Sequence, residues 1–142
     1  MQYQRLAHVR VHAAVTEARP PLTRRQRLRR WADALARHGS NPLTPLRWVE
    51  FYAESERRML RREGSPLALA YADPTLRDAG LANDTLGEAQ RFFGLSDDEA
   101  HRLLCDCHYA GTMTGRSVAR AVRPLAWPGV LGVLGRVFVG AA

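Results

Sequence analysis

Four side chains able to ligate soft or borderline metals, His101, Cys105, Cys107 and His108, fall close together in the sequence. On a helix turning about 100° per residue, His101, Cys105 and His108 share one stripe. That stripe lies roughly a third of a turn from the apolar face of Ala100, Leu103, Leu104 and Cys107. Three donors on a flank reached by water make a candidate zinc or copper site, with a fourth donor from elsewhere, although the spacing is not that of a zinc finger. The plain alternative is a structural Cys107 among exposed polar neighbours. For nucleophilic catalysis, Cys105 with His101 or His108 as base needs a third group to orient the base and a cleft around it. Cys107 and His108 are adjacent and point about 100° apart, so they form no dyad. No Gly-rich phosphate loop, nucleophile elbow or paired catalytic carboxylate motif accompanies them, and the non-catalytic reading leads.

Charge is the second chemical resource. The formal net charge is +7, and all 21 basic residues are arginine, the composition that a GC-rich bacterial genome gives alongside abundant alanine. Residues 1–64 carry 14 arginines against 6 acids, and residues 65–142 carry 7 against 8. Within the basic half, Arg24, Arg25, Arg27, Arg29 and Arg30, joined by Arg57, Arg58, Arg61 and Arg62, form the candidate partner-binding surface. The first group occupies a helix N-terminus, where each cation opposes the dipole by a few tenths of a kcal/mol. An acidic partner surface, protein or nucleic acid, would offset that cost; solvation alone is the plain alternative.

The elements that must position these groups read as helices. Thr23-Arg-Arg-Gln26 is a capping box, with Leu28, Trp31, Leu35 and Ala36 at helical spacing before Gly39. Thr44-Pro45 predicts a helical stretch through Leu46, Val49 and Tyr52 toward Met59 and Leu60, broken near Ser55. Ser65-Pro66 and Asp73-Pro74 predict short helices over 67–71 and 75–79. Thr85-Leu-Gly-Glu88 is a second capping box, leading to Gly94, and Ser96-Asp-Asp-Glu99 restarts a helix that runs to Gly111. A last helix starts at Thr114 and carries Val118, Ala121 and Val122. Trp31, Leu35, Phe93, Leu103 and Leu104 are the expected core. The fold class is all-α, a small single-domain orthogonal helical bundle over residues 23–124.

Two flanks complete the chain. Residues 1–22 alternate in part around His8 to His12, end in Pro20-Pro21, and read as a non-helical leader or a lone docked strand. They lack the apolar core of a secretory signal, and the closely spaced Cys105 and Cys107 cannot staple distant segments, so a cytoplasmic, reduced protein is expected. Residues 125–142 form an apolar tail, interrupted by Pro128 and Arg136, with Gly129, Gly132 and Gly135 at every third position. The run after Pro128 falls short of the roughly 20 residues of a bilayer span, so the tail is expected to pack on the domain or on a partner.

Thr85-Leu86 at the start, Gly94-Leu95-Ser96 at the turn and Ala100 with Leu103 beyond it give helix, tight glycine turn, helix. Over residues 85–104 this segment resembles the helix-turn-helix of bacterial repressors. The resemblance implies DNA binding, with the second helix entering the major groove. Three functions are therefore expected in order: a non-catalytic accessory or regulatory protein docking a protein partner through the basic half, a helix-turn-helix regulator, and a metal-binding or Cys-dependent protein using His101, Cys105 and His108. The first two differ in which half makes contact, since DNA reading would turn the near-neutral half toward phosphates.

Overall fold

The computed structural model describes residues 20–51 and 54–127. The fold is all-α, as the caps predict. It comprises α1 (Arg24–His38), a 3-10 turn (Trp48–Phe51), α2 (Glu54–Arg57), α3 (Pro66–Ala72), α4 (Pro74–Asp78), α5 (Leu86–Phe93), α6 (Asp97–Leu104), a second 3-10 turn (Asp106–His108), α7 (Gly115–Val122) and a third (Arg123–Ala126). Among the described residues the only strand-like feature is an isolated bridge between Pro42 and Thr114, and no helix is long and apolar enough to cross a membrane. The leader up to residue 19 and the tail from residue 128 lie outside the described residues.

Helix α1 is the hub. Thr23 caps it with both halves of the box formed, and Leu28, Trp31, Ala32 and Leu35 are buried along one stripe. Its principal partner is α7, and the α3, α5 and Arg123–Ala126 segments also pack on it. Trp31 stacks on Phe93 with ring centroids 4.5 Å apart and donates its indole N–H to the Pro66 carbonyl at 2.9 Å. A large aromatic is thus buried with its one polar group satisfied. Phe93, Leu103 and Leu104 join the same core, and each such side chain contributes about 1.5–3 kcal/mol of apolar burial.

Local caps form where the sequence places them. Ser65 and Asp73 cap α3 and α4, each with proline in the first turn, and Ser96 and Thr114 make complete capping boxes. At Thr85 only half the box forms: its hydroxyl accepts from Glu88 N–H, while the Glu88 carboxylate turns instead to Ala82 N–H and Arg91.

Two helical expectations are corrected. Thr44-Pro45 starts no helix: residues 43–47 are non-helical, and the segment is pinned to distant parts of the chain, Leu43 N–H bonding Met113 O, Thr44 N–H bonding Gly64 O and Leu46 N–H bonding Leu104 O. Among the described residues, the helical structure between residue 44 and residue 60 is the turn at Trp48–Phe51 and the short α2. Helix α6 also stops at Leu104 rather than running to Gly111, with Cys105 extended at φ −88°, ψ 133°. The inward residue past Leu104 is consequently Cys105, while Cys107, placed by helical spacing on the core face, is exposed.

Candidate functional sites

The end of α6 decides what the histidines and cysteines can do. Seven residues of uninterrupted helix would part His101 and His108 by about 10.5 Å of rise. The reversal at Cys105 instead folds the Asp106–His108 turn back, and His108 Nε2 meets His101 Nδ1 at 2.8 Å. The two imidazoles are nearly perpendicular, with centroids 4.8 Å apart. Cys107 completes a group of three, its sulfur and one nitrogen of each histidine all lying within 4.8 Å of one another. Cys105 stands behind: it is buried, its sulfur lies 2.8 Å from that of Cys107, and burial pushes its thiol up to about 11. Of the expected trio, the structure brings His101 and His108 together and puts Cys107, not Cys105, beside them. On its other side His101 packs edge-to-face with Phe51 at 5.0 Å, and its buried Nε2 has no hydrogen-bond partner among the described residues.

Most arginines of the two clusters are engaged within the chain. Arg24 donates to the carbonyls of Phe93 at 2.9 Å and Leu125 at 3.3 Å, and lies 3.7 Å from the Glu99 carboxylate. Arg27 donates to Leu22 and Phe92 carbonyls and stacks 4.5 Å over the Phe92 ring. Arg30 binds the buried Asp73 at 2.8 Å. Arg57 reaches Asp97, Arg61 stands 3.1 Å from Asp84, and Arg62 pairs with Glu50. Arg58 lines an open surface concavity of about 490 Å³ with Asn83, Thr85, Gly87, Glu88 and Arg91, where Glu88 already pairs with Arg91. No nucleophile and base pair converges among those residues.

Arg25 and Arg29 differ. Each guanidinium sits 4.9 Å from the centroid of the Trp127 ring, and neither has a carboxylate partner among the described residues. Trp127 itself is 60% exposed. On α7, exposed Arg116 and Arg120 fall one turn apart, with exposed Arg123 following. Helix α7 runs antiparallel to α1, since Arg116 N–H bonds Gly39 O at one end and Arg24 reaches Leu125 O at the other. Arg123 therefore lies at the same end of the helix pair as Arg25 and Trp127. In the sequence Trp127 is hidden in the apolar block of residues 125–142; a tryptophan directly before proline, one turn past an amphipathic helix, is the signal that sets it apart.

The segment that resembles a helix-turn-helix consists of two eight-residue helices, α5 and α6, separated by Gly94 in the left-handed region at φ 63°, ψ 44°. Its acids are partly neutralised. Asp97 accepts from Arg57 at 2.5 Å and Gln90 at 2.7 Å, and the Arg57 guanidinium, helped by Gln90, holds its carboxyl below the usual range. Glu99 closes the Ser96 capping box, and Asp98 is exposed.

In comparison with known proteins, no family model, curated protein or solved structure matches the chain.

Proposed function

We propose that this chain is a non-catalytic helical accessory protein that docks onto an acidic surface of a protein partner through the face where Arg25 and Arg29 bracket Trp127. One observation carries the reading: two guanidinium groups without carboxylate partners among the described residues are held against one exposed indole. Stacking on the ring contributes about 0.5–1 kcal/mol per cation at an exposed site and fixes the guanidinium groups before a partner arrives. Less side-chain entropy is then lost on binding. Tryptophan and arginine are also the residue types that dominate interface hot spots. Arg123 extends the same positive end, so complementary carboxylates would steer the encounter as well as hold it. This face is smaller than the two arginine clusters, because Arg24, Arg27, Arg30, Arg57, Arg61 and Arg62 have partners inside the domain. A cytoplasmic setting, with both thiols reduced, belongs to the same reading.

The test is co-purification of the untagged protein from its own cells, followed by titration of the captured protein against variants. Arg25→Glu with Arg29→Glu is expected to weaken that complex at least tenfold while leaving the circular dichroism spectrum unchanged. Asp98→Asn should leave affinity where it was. Retention of the partner by the double reversal would sink the proposal. Tight binding to one duplex sequence but not its scrambled version, strengthened by Asp98→Asn, would move the function to α5 and α6 as a DNA reader.

A further inference from the structure

We infer that His101, Cys107 and His108 form a zinc-class metal site, in which the Nδ1 of His101, the Nε2 of His108 and the sulfur of Cys107 are the ligands and a fourth position faces solvent. The inference is independent of the docking face.

Geometry is the first ground. Two imidazole nitrogens from different elements point at each other across 2.8 Å, and a thiol completes a triangle with no edge above 4.8 Å. Tetrahedral zinc with Zn–N bonds near 2.05 Å and a Zn–S bond near 2.3 Å sets its nitrogen ligands about 3.3 Å apart and each nitrogen about 3.6 Å from the sulfur, so the rings must part by about half an ångström and the Cys107 sulfur must close by up to about 1.2 Å to admit the ion. Both movements fall on the Asp106–His108 turn, none of whose residues is buried.

Donor chemistry is the second ground. Two imidazoles and one thiolate suit a borderline ion such as zinc, and a three-ligand set with one open position is a recurring arrangement for it. Binding would replace the Cys107 S–H bond with a sulfur–metal bond and release that proton to solvent. Cys105 takes a positioning role. Its sulfur lies 2.8 Å from that of Cys107, on the buried side, where it can donate an S–H hydrogen bond to the ligand thiolate and orient it.

The structure also sets the strength of the site. A ligating histidine usually hands its second ring N–H to a carboxylate or carbonyl, and loss of that partner costs 10- to 100-fold in affinity. Here the Nε2 of His101 is buried with no such acceptor among the described residues, and the ring is steadied by Phe51. Affinity is therefore expected one to two decades below that of a fully supported site.

The full-length protein, free of any histidine tag and kept reduced, should be titrated with zinc sulfate against a chromophoric chelator and with cobalt(II) as an optical probe. One zinc per chain is expected, with a tetrahedral cobalt spectrum containing a thiolate charge-transfer band. Cys107→Ala and His108→Ala, both at exposed positions, should each lower affinity at least tenfold without changing the circular dichroism spectrum. Cys105→Ser should keep the stoichiometry. Absence of zinc binding, an octahedral cobalt spectrum, or affinity unchanged in Cys107→Ala overturns the inference. Loss of the thiolate band in Cys105→Ser but not in Cys107→Ala overturns it too, as does copper(I) binding with no affinity for zinc or cobalt.

Discussion

Arg30 of α1 grips the carboxylate of Asp73 at 2.8 Å, and the same carboxylate caps α4 by accepting from Thr75 N–H at 2.9 Å. Arg37 lies 3.6 Å away on the next turns of α1, so one buried acid ties the first helix to the α3–α4 corner. Asp73→Ala is expected to cost about 1–3 kcal/mol in urea unfolding, since it removes an N-cap and leaves Arg30 without its partner. Asp73→Asn should cost less, because the amide oxygen can still cap. Burial alone would raise the Asp73 carboxyl, but the bonds from Arg30 and from Thr75 N–H outweigh it and hold the group below its ordinary value. A depressed folded-state value contributes stability that is full above the unfolded value near 3.9 and lost as pH falls through the folded one. Acid unfolding of Asp73→Asn should therefore be shallower below about pH 4 than that of wild type. Parallel acid limbs would show that the ion pair carries no pH-dependent stability.

Gly115 opens α7 against the end of α1. A Cβ there would lie 2.4 Å from the Leu35 carbonyl oxygen and 2.8 Å from His38 Cβ. Backbone cannot retreat as a flexible side chain can, so Gly115→Ala must push α7 away from its main packing partner. A loss of about 1–3 kcal/mol or more is expected in chemical denaturation. Gly39→Ala is the control: its φ of 66° strains an alanine, but nothing lies within 4 Å, and α7 packing should survive. If Gly115→Ala proves neutral, the close approach of the two helices is absent in solution.

What the sequence made legible was local. The boxes at Thr23 and Ser96 and the Ser65-Pro66 and Asp73-Pro74 starts form because their signals act within four residues of the chain, and Trp31, Leu35, Phe93, Leu103 and Leu104 are buried because helical periodicity reports a face directly. Residues 43–46 misled because their N–H groups bond to Met113, Gly64 and Leu104, partners that no local pattern reveals. Two of the three candidate ligands, His101 and His108, are brought together, but not by the helical stripe that their spacing suggests. His101 and His108 meet because the helix ends at Leu104, not because they share a stripe, and the same ending exchanges the places of Cys105 and Cys107. The arginines look alike in sequence since partners such as Asp73 of Arg30 and the Phe92 carbonyl of Arg27 lie more than 40 residues away.

That sorting of arginines is measurable. Arg24 bonds the Phe93 and Leu125 carbonyls, so it joins α1 to the C-terminal end of α5 and to the Arg123–Ala126 turn. Arg24→Ala is expected to destabilise by about 1.5–3 kcal/mol, the range for hydrogen bonds from a charged donor whose acceptors are left behind. Arg25→Ala, one residue on, loses only stacking on Trp127 and should stay within about 1 kcal/mol of wild type. Equal losses for the pair would mean that the division between structural and outward-facing arginines is drawn in the wrong place.

Tyr109 should govern the alkaline limit. Its hydroxyl donates to the Leu103 carbonyl at 2.8 Å, and burial of the ring pushes the phenol up to about 12. An unfolded tyrosine ionises near 10, so the unfolded chain gives up this proton first as pH rises. A raised value for an acid means stability that is complete below about pH 10 and lost between there and the folded-state value. Cys105, pushed up to about 11 by burial, adds a slope of the same sign, so the informative quantity is the difference between wild type and Tyr109→Phe. At neutral pH the variant should lose about 1 kcal/mol with its hydrogen bond. Above pH 10 the two stability curves should converge, because phenylalanine has no proton to surrender. In a spectrophotometric titration of the native protein, one of the four tyrosines should ionise late, and that late step should vanish in Tyr109→Phe. Curves that stay parallel through the alkaline range would place the Tyr109 hydroxyl in contact with water rather than against Leu103.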